Sequence, residues 1–355
     1  MTGLYIHIPF CLSKCPYCDF YSERYSRSLA NEYAEAVKRN LEFYNDTYDT
    51  VYFGGGTPVL LVEEIGGILE KVRTADNAEI TVEANPCVTE KKRLEALLSG
   101  GVNRISFGVQ SLDENELRFL GRRHSAQQAV EAIELAYKTG FENISADLML
   151  GLPSQKKESV SHSVKALSEL PVSHISAYLL KIEDGTPFSQ MDIAVPGDEE
   201  MSEIYLHTCE ELEKHGFTQY EISNFAKKGF ECAHNLKYWR CEEYLGIGAA
   251  AHSYYNGVRF CTERSIDKFI FAPVQFTEIT DDEPGGFDEF AMLKLRLTEG
   301  LLFSECEKYG VSKSTILERC KKIPQEYYSA DETGVRLTRK GFMLSNAVIG
   351  KILGY

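Results

Sequence analysis

The sequence predicts an α/β protein: a parallel sheet closed part-way into a (β/α)6 barrel, followed by a smaller C-terminal α+β unit of winged-helix type. Three observations predict it. Six short β-type runs alternate with amphipathic helical stretches over residues 4–180, the order of βαβ units. Thiol, glycine-rich and acidic residues recur at the carboxyl ends of those runs, where parallel sheets carry their sites. Beyond residue 181 the alternation stops.

The first strand is Leu4-Tyr5-Ile6-His7-Ile8, ended by Pro9. Leu29, Tyr33, Val37, Leu41 and Tyr44 recur at helical spacing after it. Thr50 to Phe53 form a second strand that runs into Gly54-Gly55-Gly56-Thr57-Pro58, and Val62, Ile65, Leu69 and Val72 mark the next helix. Glu79 to Glu83 are a third strand, halted by Asn85-Pro86. A helix through Leu94, Leu97 and Leu98 stops at Gly100-Gly101. Arg104 to Val109, Asn143 to Leu150 and His174 to Leu180 complete the six strands, with helices through Val130, Ile133 and Tyr137 and through Val160, Val164 and Leu167 between them.

Farther on, Tyr205, Cys209 and Leu212 suggest a helix and Thr218 to Phe225 a strand. A loop-rich stretch carries His234-Asn235-Leu236-Lys237-Tyr238-Trp239 and Gly248 to Ser253. Asp281 to Gly286 read as a linker, Phe290, Leu293 and Leu297 open a helical unit, Ser304 and Glu307 suit a capping box, and Gly334 to Leu337 a wing strand. The division expected is 1–228 for the barrel, 229–280 for the loop-rich segment and 281–355 for the C-terminal unit.

The chain has 355 residues, 43% apolar and 26% charged, with a formal net charge of −15. That balance opposes extensive binding to polyphosphate backbones. The exception, residues 301–355, holds nine Lys/Arg against six Asp/Glu, a surplus small enough to be a solvated face. No stretch is apolar for long enough to span a membrane, and no basic region precedes a signal-type apolar run. Ten cysteines, three of them clustered, fit a reducing compartment, so a cytoplasmic location is expected.

The cluster is Cys11-x3-Cys15-x2-Cys18. Three thiols from one polar, turn-forming loop can converge on a metal centre, and no fourth cysteine follows before Cys87. Three sulfurs leave a coordination position open, as a ligand-binding metal requires. Spacing alone admits either an iron–sulfur cluster or a zinc knuckle completed by His7 or Asp19. The remaining cysteines read as packing thiols, Cys232 included, although it stands two positions before His234.

Cys11, Cys15 and Cys18, followed after the next strand by Gly54 to Pro58, resemble the radical S-adenosylmethionine (radical SAM) superfamily. Leu4 to Cys11 and Cys18-Asp19-Phe20 resemble, within it, the branch of oxygen-independent coproporphyrinogen III dehydrogenases and HemW-like haem chaperones, over nearly the whole chain. The resemblance implies a 4Fe-4S cluster on Cys11, Cys15 and Cys18, with S-adenosylmethionine chelated by the open iron. It places Gly55, Gly56 and Thr57 along the methionine moiety and Tyr5 and Tyr17 beside the cluster and adenosyl group. Glu83 would bind ribose hydroxyls, with Gln110, Arg122 and Asp147 completing the pocket.

Three features favour the chaperone over the dehydrogenase. Phe20 stands where the dehydrogenase has a further cysteine, strand one begins by Leu4 without the dehydrogenase's N-terminal extension, and His234-Asn235-x-x-Tyr238-Trp239 matches the chaperones' HNxxYW motif. The resemblance makes His234 the candidate haem ligand; His252, in the stretch Gly248 to Ser253, is a second candidate. Ala249-Ala250-Ala251 departs from the more glycine-rich form of the branch. The partners expected are haem, a haem-acceptor protein and a second copy of the chain as a homodimer, with no membrane span and no nucleic acid. Porphyrinogen oxidation is the alternative activity.

Overall fold

The computed structural model describes residues 1–355. The six predicted strands are all present: β1 (Thr2–Ile8), β2 (Thr47–Gly55), β3 (Arg73–Ala84), β4 (Arg104–Gln110), β5 (Asn143–Leu150) and β6 (His174–Leu179). They pair in parallel in that order. Between them run α1 (Arg27–Leu41), α2 (Val62–Leu69), α3 (Lys91–Ser99), α4 (Glu114–Phe119), α5 (Ala126–Thr139) and α6 (Lys157–Ser168). Ser125 starts α5 with a reciprocal capping box to Gln128, and Gly140 ends it at φ +124°.

The strands alternate in a way parallel strands seldom do. Leu4, Ile6, Val51, Phe53, Val82, Ile105, Phe107, Ile144 and Ile175 are buried on one face in the apolar core, under the helices. The residues between them (Tyr5, His7, Tyr52, Glu83, Arg104, Ser106, Asp147, His174) point to the other face. Hydrogen bonds join neighbouring strands there, as in Tyr52 Oη to Glu83 Oε1 (2.9 Å) and Ser145 Oγ with His174 Nδ1 (2.8 Å). A parallel sheet buried on both faces reads as continuous hydrophobic runs. This one reads as alternating because its inner face lines a polar lumen.

The sheet exceeds six strands. After α7 (Asp198–Lys214), the stretch expected as one strand is a hairpin, β7 (Thr218–Gln219) and β8 (Asn224–Ala226), in which β8 pairs antiparallel with β6. The turn between them is tied to the C-terminal unit by Ile222 N–H donating to Arg296 O at 3.0 Å. The segment expected to be loop-rich is largely regular: α8 (Ala233–Trp239), β9 (Tyr244–Ile247), β10 (His252–Tyr255), β11 (Val258–Thr262), α9 (Ile266–Phe271) and β12 (Thr277–Asp281). β9 joins β1 as a seventh parallel strand, and β10, β11 and β12 extend the sheet antiparallel beyond it. The result is one open twelve-stranded sheet. The signal was missed because these strands are four or five residues long and separated by tight turns.

α10 (Phe287–Lys294), α11 (Phe303–Lys308), α12 (Lys313–Cys320), α13 (Arg339–Met343) and α14 (Ser345–Leu353) surround a three-stranded sheet of β13 (Leu301–Leu302), β14 (Tyr328–Ala330) and β15 (Gly334–Leu337), the predicted wing strand. Ser304 is inside α11 and caps nothing; Leu302 N–H donates instead to Glu305 Oε2 at 3.3 Å. Five of the basic residues here, Lys313, Lys321, Arg336, Arg339 and Lys340, are ion-paired, Arg339 with Glu213 of α7 and the others within the unit. No helix is long and apolar enough to cross a membrane.

Candidate functional site

Cys11, Cys15 and Cys18 follow β1 directly and lie at the carboxyl edge of the sheet. Backbone bonds hold their loop: Glu23 N–H donates to Pro9 O (2.8 Å), Tyr25 N–H to Cys11 O (2.9 Å) and Cys18 N–H to Cys15 O (3.2 Å). The glycine motif after β2 locks onto the same loop, with Gly56 N–H donating to Ile8 O and Thr57 N–H to Phe10 O, both at 2.8 Å.

The glycines are needed by the protein's own packing. Gly55 has φ +107°, and a Cβ there would stand 2.4 Å from His7 Cε1; one on Gly56 would stand 2.6 Å from Phe10 O. Gly55→Ala is expected to cost about 2–3 kcal/mol of stability in denaturant unfolding. Wild-type stability in that variant would show that the loop tolerates a side chain.

All three thiols are free and half-buried. Thr57 Oγ1 lies 3.6 Å from Cys11 Sγ and Arg122 Nη1 3.6 Å from Cys15 Sγ, so two sulfurs accept from polar donors, as thiolates would. A small open cavity beside them is lined by Cys15, Thr57, Asn85, Cys87, Arg122 and Arg123. Cys87, half-buried, both lines this cavity and packs against the core. No three His, Cys, Asp or Glu side chains converge closely enough for a single metal ion. His7, offered from the sequence as a zinc ligand, has Nδ1 bonded to Tyr5 Oη and Nε2 to Tyr21 O, both at 2.9 Å. The donor set of three free thiols in one loop, with polar donors aimed at two of them, fits a thiolate-held cluster.

The other predicted residues divide. Tyr17 and Arg122 join the loop: Arg122 Nη1 reaches Tyr17 Oη at 3.4 Å, and Nη2 donates to Gly108 O at 2.5 Å. Gln110 ends β4 at φ +71°, with its Oε1 accepting from Tyr178 Oη at 2.8 Å. Glu83 accepts from Tyr52 Oη and from Gly55 N–H (3.1 Å), so it also braces the glycine loop. Asp147 lies 3.5 Å from Ser106 Oγ. Tyr5 is one layer deeper, bonded to His7 and stacked against Tyr52, away from the thiols. Sequence reasoning missed Tyr52, Asn85, Ser106, Arg123 and Tyr178; alternation along the strands was the signal for Tyr52, Ser106 and Tyr178.

Burial, reinforced by the charge of Asp147 and opposed by the bonds from Tyr52 and Gly55, lifts the Glu83 carboxyl to about 7. Burial likewise lifts Asp147 to about 6, against hydrogen bonding from Ser176. The folded chain therefore holds protons that the unfolded chain releases near its ordinary value of 4.5 for Glu83. The stability this group contributes is full below that value and is lost as pH rises through about 7. Denaturant midpoints of the cluster-free protein should fall across this range, and less so in Glu83→Gln; identical profiles would contradict the raised pKa.

His234 is placed elsewhere. It sits in α8 at the amino end of the sheet, beside Thr50, five residues before Gly55 and so about 16 Å down the strand. Its Nδ1 is bonded to Thr50 Oγ1 and its Nε2 to Tyr238 Oη, both at 2.8 Å, and the residue is 1% exposed. Burial, with the charges of Lys237 and Arg104, lowers its pKa to about 3 and keeps the ring neutral. Both ring nitrogens are thus engaged within the protein in this structure, and the ring packs in a plug at the amino end of the sheet. The Glu79 carboxylate accepts from Ala233 and His234 N–H at the start of α8, and buried Lys237 bonds Met1 O and Asp49.

Residues 5–167 match the family model described as the radical SAM superfamily. The heme chaperone HemW of Bacillus subtilis (strain 168) is 35% identical over 379 aligned residues, covering 100% of both chains. That of Haemophilus influenzae is 33% identical, covering 98% of this chain and 96% of its own. Among solved structures, coproporphyrinogen III oxidase (HemN) from Escherichia coli, described as a radical SAM enzyme, superposes with a TM-score of 0.82 at 21% identity, covering 100% of this chain and 90% of that one.

Proposed function

The chain belongs to the HemW family of the radical SAM superfamily, and from that premise we propose that it carries haem. In this reading it binds a 4Fe-4S cluster, S-adenosylmethionine and haem, and passes the haem to an acceptor protein. The observation that carries it is full-length similarity to relatives named as heme chaperones, joined to a cysteine loop suited to a cluster. The open iron of a bound cluster supplies a chelation site and an electron.

This chain's own residues would do the rest. Cys11, Cys15 and Cys18 hold the cluster. Arg122 holds Cys15 and Tyr17 together, which orients the loop's two turns. Gly55, Gly56 and Thr57 fix the distance between the cysteine loop and β2, while Glu83, Gln110 and Asp147 present acceptors from neighbouring strand ends to a polar ligand in the lumen mouth. Ten free thiols support a reducing, cytoplasmic setting.

The likeness to HemN concerns the fold, so the enzymatic reading is tested by product. Anaerobic incubation of the reconstituted protein with coproporphyrinogen III and S-adenosylmethionine should yield no protoporphyrinogen IX, while the same sample takes up haem and gives it to an apo-haemoprotein. Protoporphyrinogen IX without haem transfer would overturn the proposal.

A further inference from the structure

Residues 181–196 join β6 to α7 with a single 3-10 turn, Pro187–Gln190, as their only regular structure. Connections longer than about 12–15 residues without regular structure are uncommon in compact domains and are usually functional. Within this strap only Thr186 and Phe188 are buried. Its hydrogen bonds are local, as in Thr186 Oγ1 to Glu183 O and Ser189 Oγ to Thr186 O, both at 2.7 Å, with one exception. Phe188 N–H donates to Pro16 O at 3.0 Å. The strap is tied down at one residue, and what it grips is the cysteine loop.

The Phe188 side chain reinforces that tie. It belongs to a second apolar core of five buried residues, Leu120, Met149, Leu152, Leu180 and Phe188, separate from the main core of 71. The Phe188 ring lies 5.0 Å from that of Phe119 and 6.2 Å from that of Tyr17. Pro16 and Tyr17 are the two residues between Cys15 and Cys18. Tyr17 carries the contact onward: its hydroxyl stands 3.4 Å from Arg122 Nη1, which also meets Cys15 Sγ at 3.6 Å. The other half of the loop is held differently. The bonds from Glu23, Tyr25, Gly56 and Thr57 all end on residues 8–11, in β1 or just after it. Cys11 therefore hangs from the main sheet, whereas Cys15 and Cys18 flank the turn that the strap grips.

We propose that Phe188 is a positioning residue for the cluster and that, through it, cluster binding and strap docking are coupled. The assignment rests on the cluster-holding reading above. A cluster held by all three thiols ties the half of the loop on β1 to the half under the strap. Whatever the strap contributes to holding the cluster, the cluster returns to the strap, because such coupling is reciprocal. Removing the Phe188 ring takes away the apolar support of the Pro16–Tyr17 turn, while the main core, of which Phe188 is no part, keeps its packing. The loading state of the cysteine loop is thereby transmitted to the ends of β5 and β6, where Leu180 N–H donates to Leu150 O at 2.7 Å and the strap begins.

The test uses the full-length protein after anaerobic reconstitution. Excess EDTA should strip iron slowly from the wild type and at least about fivefold faster from Phe188→Ala, the low end of ordinary coupling. Phe188→Leu keeps the backbone bond and most of the apolar volume, and should bring the rate most of the way back. Tryptic cleavage after Lys181, whose side chain is 78% exposed, reads the coupling in the other direction. Loading the cluster should slow this cut at least about fivefold in the wild type and change it little in Phe188→Ala. A merely structural role for Phe188 would not make strap cleavage depend on the cluster. The wild-type comparison needs no variant, so it decides even where Phe188→Ala does not fold. Equal iron loss from the wild type and Phe188→Ala, or wild-type cleavage indifferent to loading, overturns the coupling and leaves the cluster reading standing. A wild type that takes up no iron and sulfide overturns both.

Discussion

Cys15→Ala is expected to yield a folded protein that takes up no cluster. The thiol is half-buried in a loop whose position is set by backbone bonds from Glu23, Tyr25, Gly56 and Thr57, none of which passes through the Cys15 side chain. Stability should change by less than about 1 kcal/mol, as for an ordinary partly exposed substitution. Anaerobic reconstitution should leave iron and sulfide at background and remove the brown absorbance, because two thiolates cannot hold three corners of a cluster. A wild-type iron content in Cys15→Ala would refute the ligand set. Arg122, freed from the sulfur, keeps its bond to Gly108 O, so the remaining pocket should not collapse.

His234→Ala is expected to destabilise the protein by about 3 kcal/mol without removing cluster or haem. The substitution deletes a ring stacked on Tyr52 at 5.2 Å and set edge-on to Tyr238 at 5.1 Å. It also strands the hydroxyls of Thr50 and Tyr238, both bonded to that ring. A cavity and two unpaired buried hydroxyls together account for a loss of that order. Denaturant unfolding measures the first effect and haem titration of the same sample the second. A tenfold loss of haem affinity at wild-type stability would return His234 to the role of ligand. Partial relief is expected in His234→Gln, whose amide can replace one of the two bonds.

The HNxxYW stretch shows how the fold assigns partners to residues that are neighbours on the chain. On the chain, His234, Tyr238 and Trp239 look like a ligand with aromatic walls. In the fold, α8 is held at the amino end of the sheet by the Glu79 carboxylate at its first turn and by Lys237 at its last. Tyr238 then faces His234 and Tyr244, while Trp239 lies under the Arg296 guanidinium at 5.8 Å. His234 and Tyr238, four apart on one helix face, bond to each other, while Trp239 serves a separate contact.

The glycine triplet carries the opposite lesson. Its position after β2 was legible from the run of β-formers before it, and the structure puts it against the cysteine loop as the order of strands requires. The partner of its missing side chains was not legible. Gly55 makes room for the His7 ring of β1 and Gly56 for the Phe10 carbonyl just after it, some forty-five residues earlier in the chain.

What the sequence determined by itself is the frame and the loop: alternating β and α runs dictate parallel neighbours, and three cysteines seven positions apart end to end must share one turn-forming segment whatever surrounds them. These are local properties, set by periodicity and by the short reach of the backbone. Tertiary structure alone decided which polar residues meet. Glu83 with Gly55, Arg122 with Cys15, His234 with Thr50 and His252 with Cys261 are contacts between strands or loops, fixed by register across the sheet. For Glu83, Thr50, His252 and Cys261, which stand on strands, a shift of one residue in the pairing would turn the side chain to the other face.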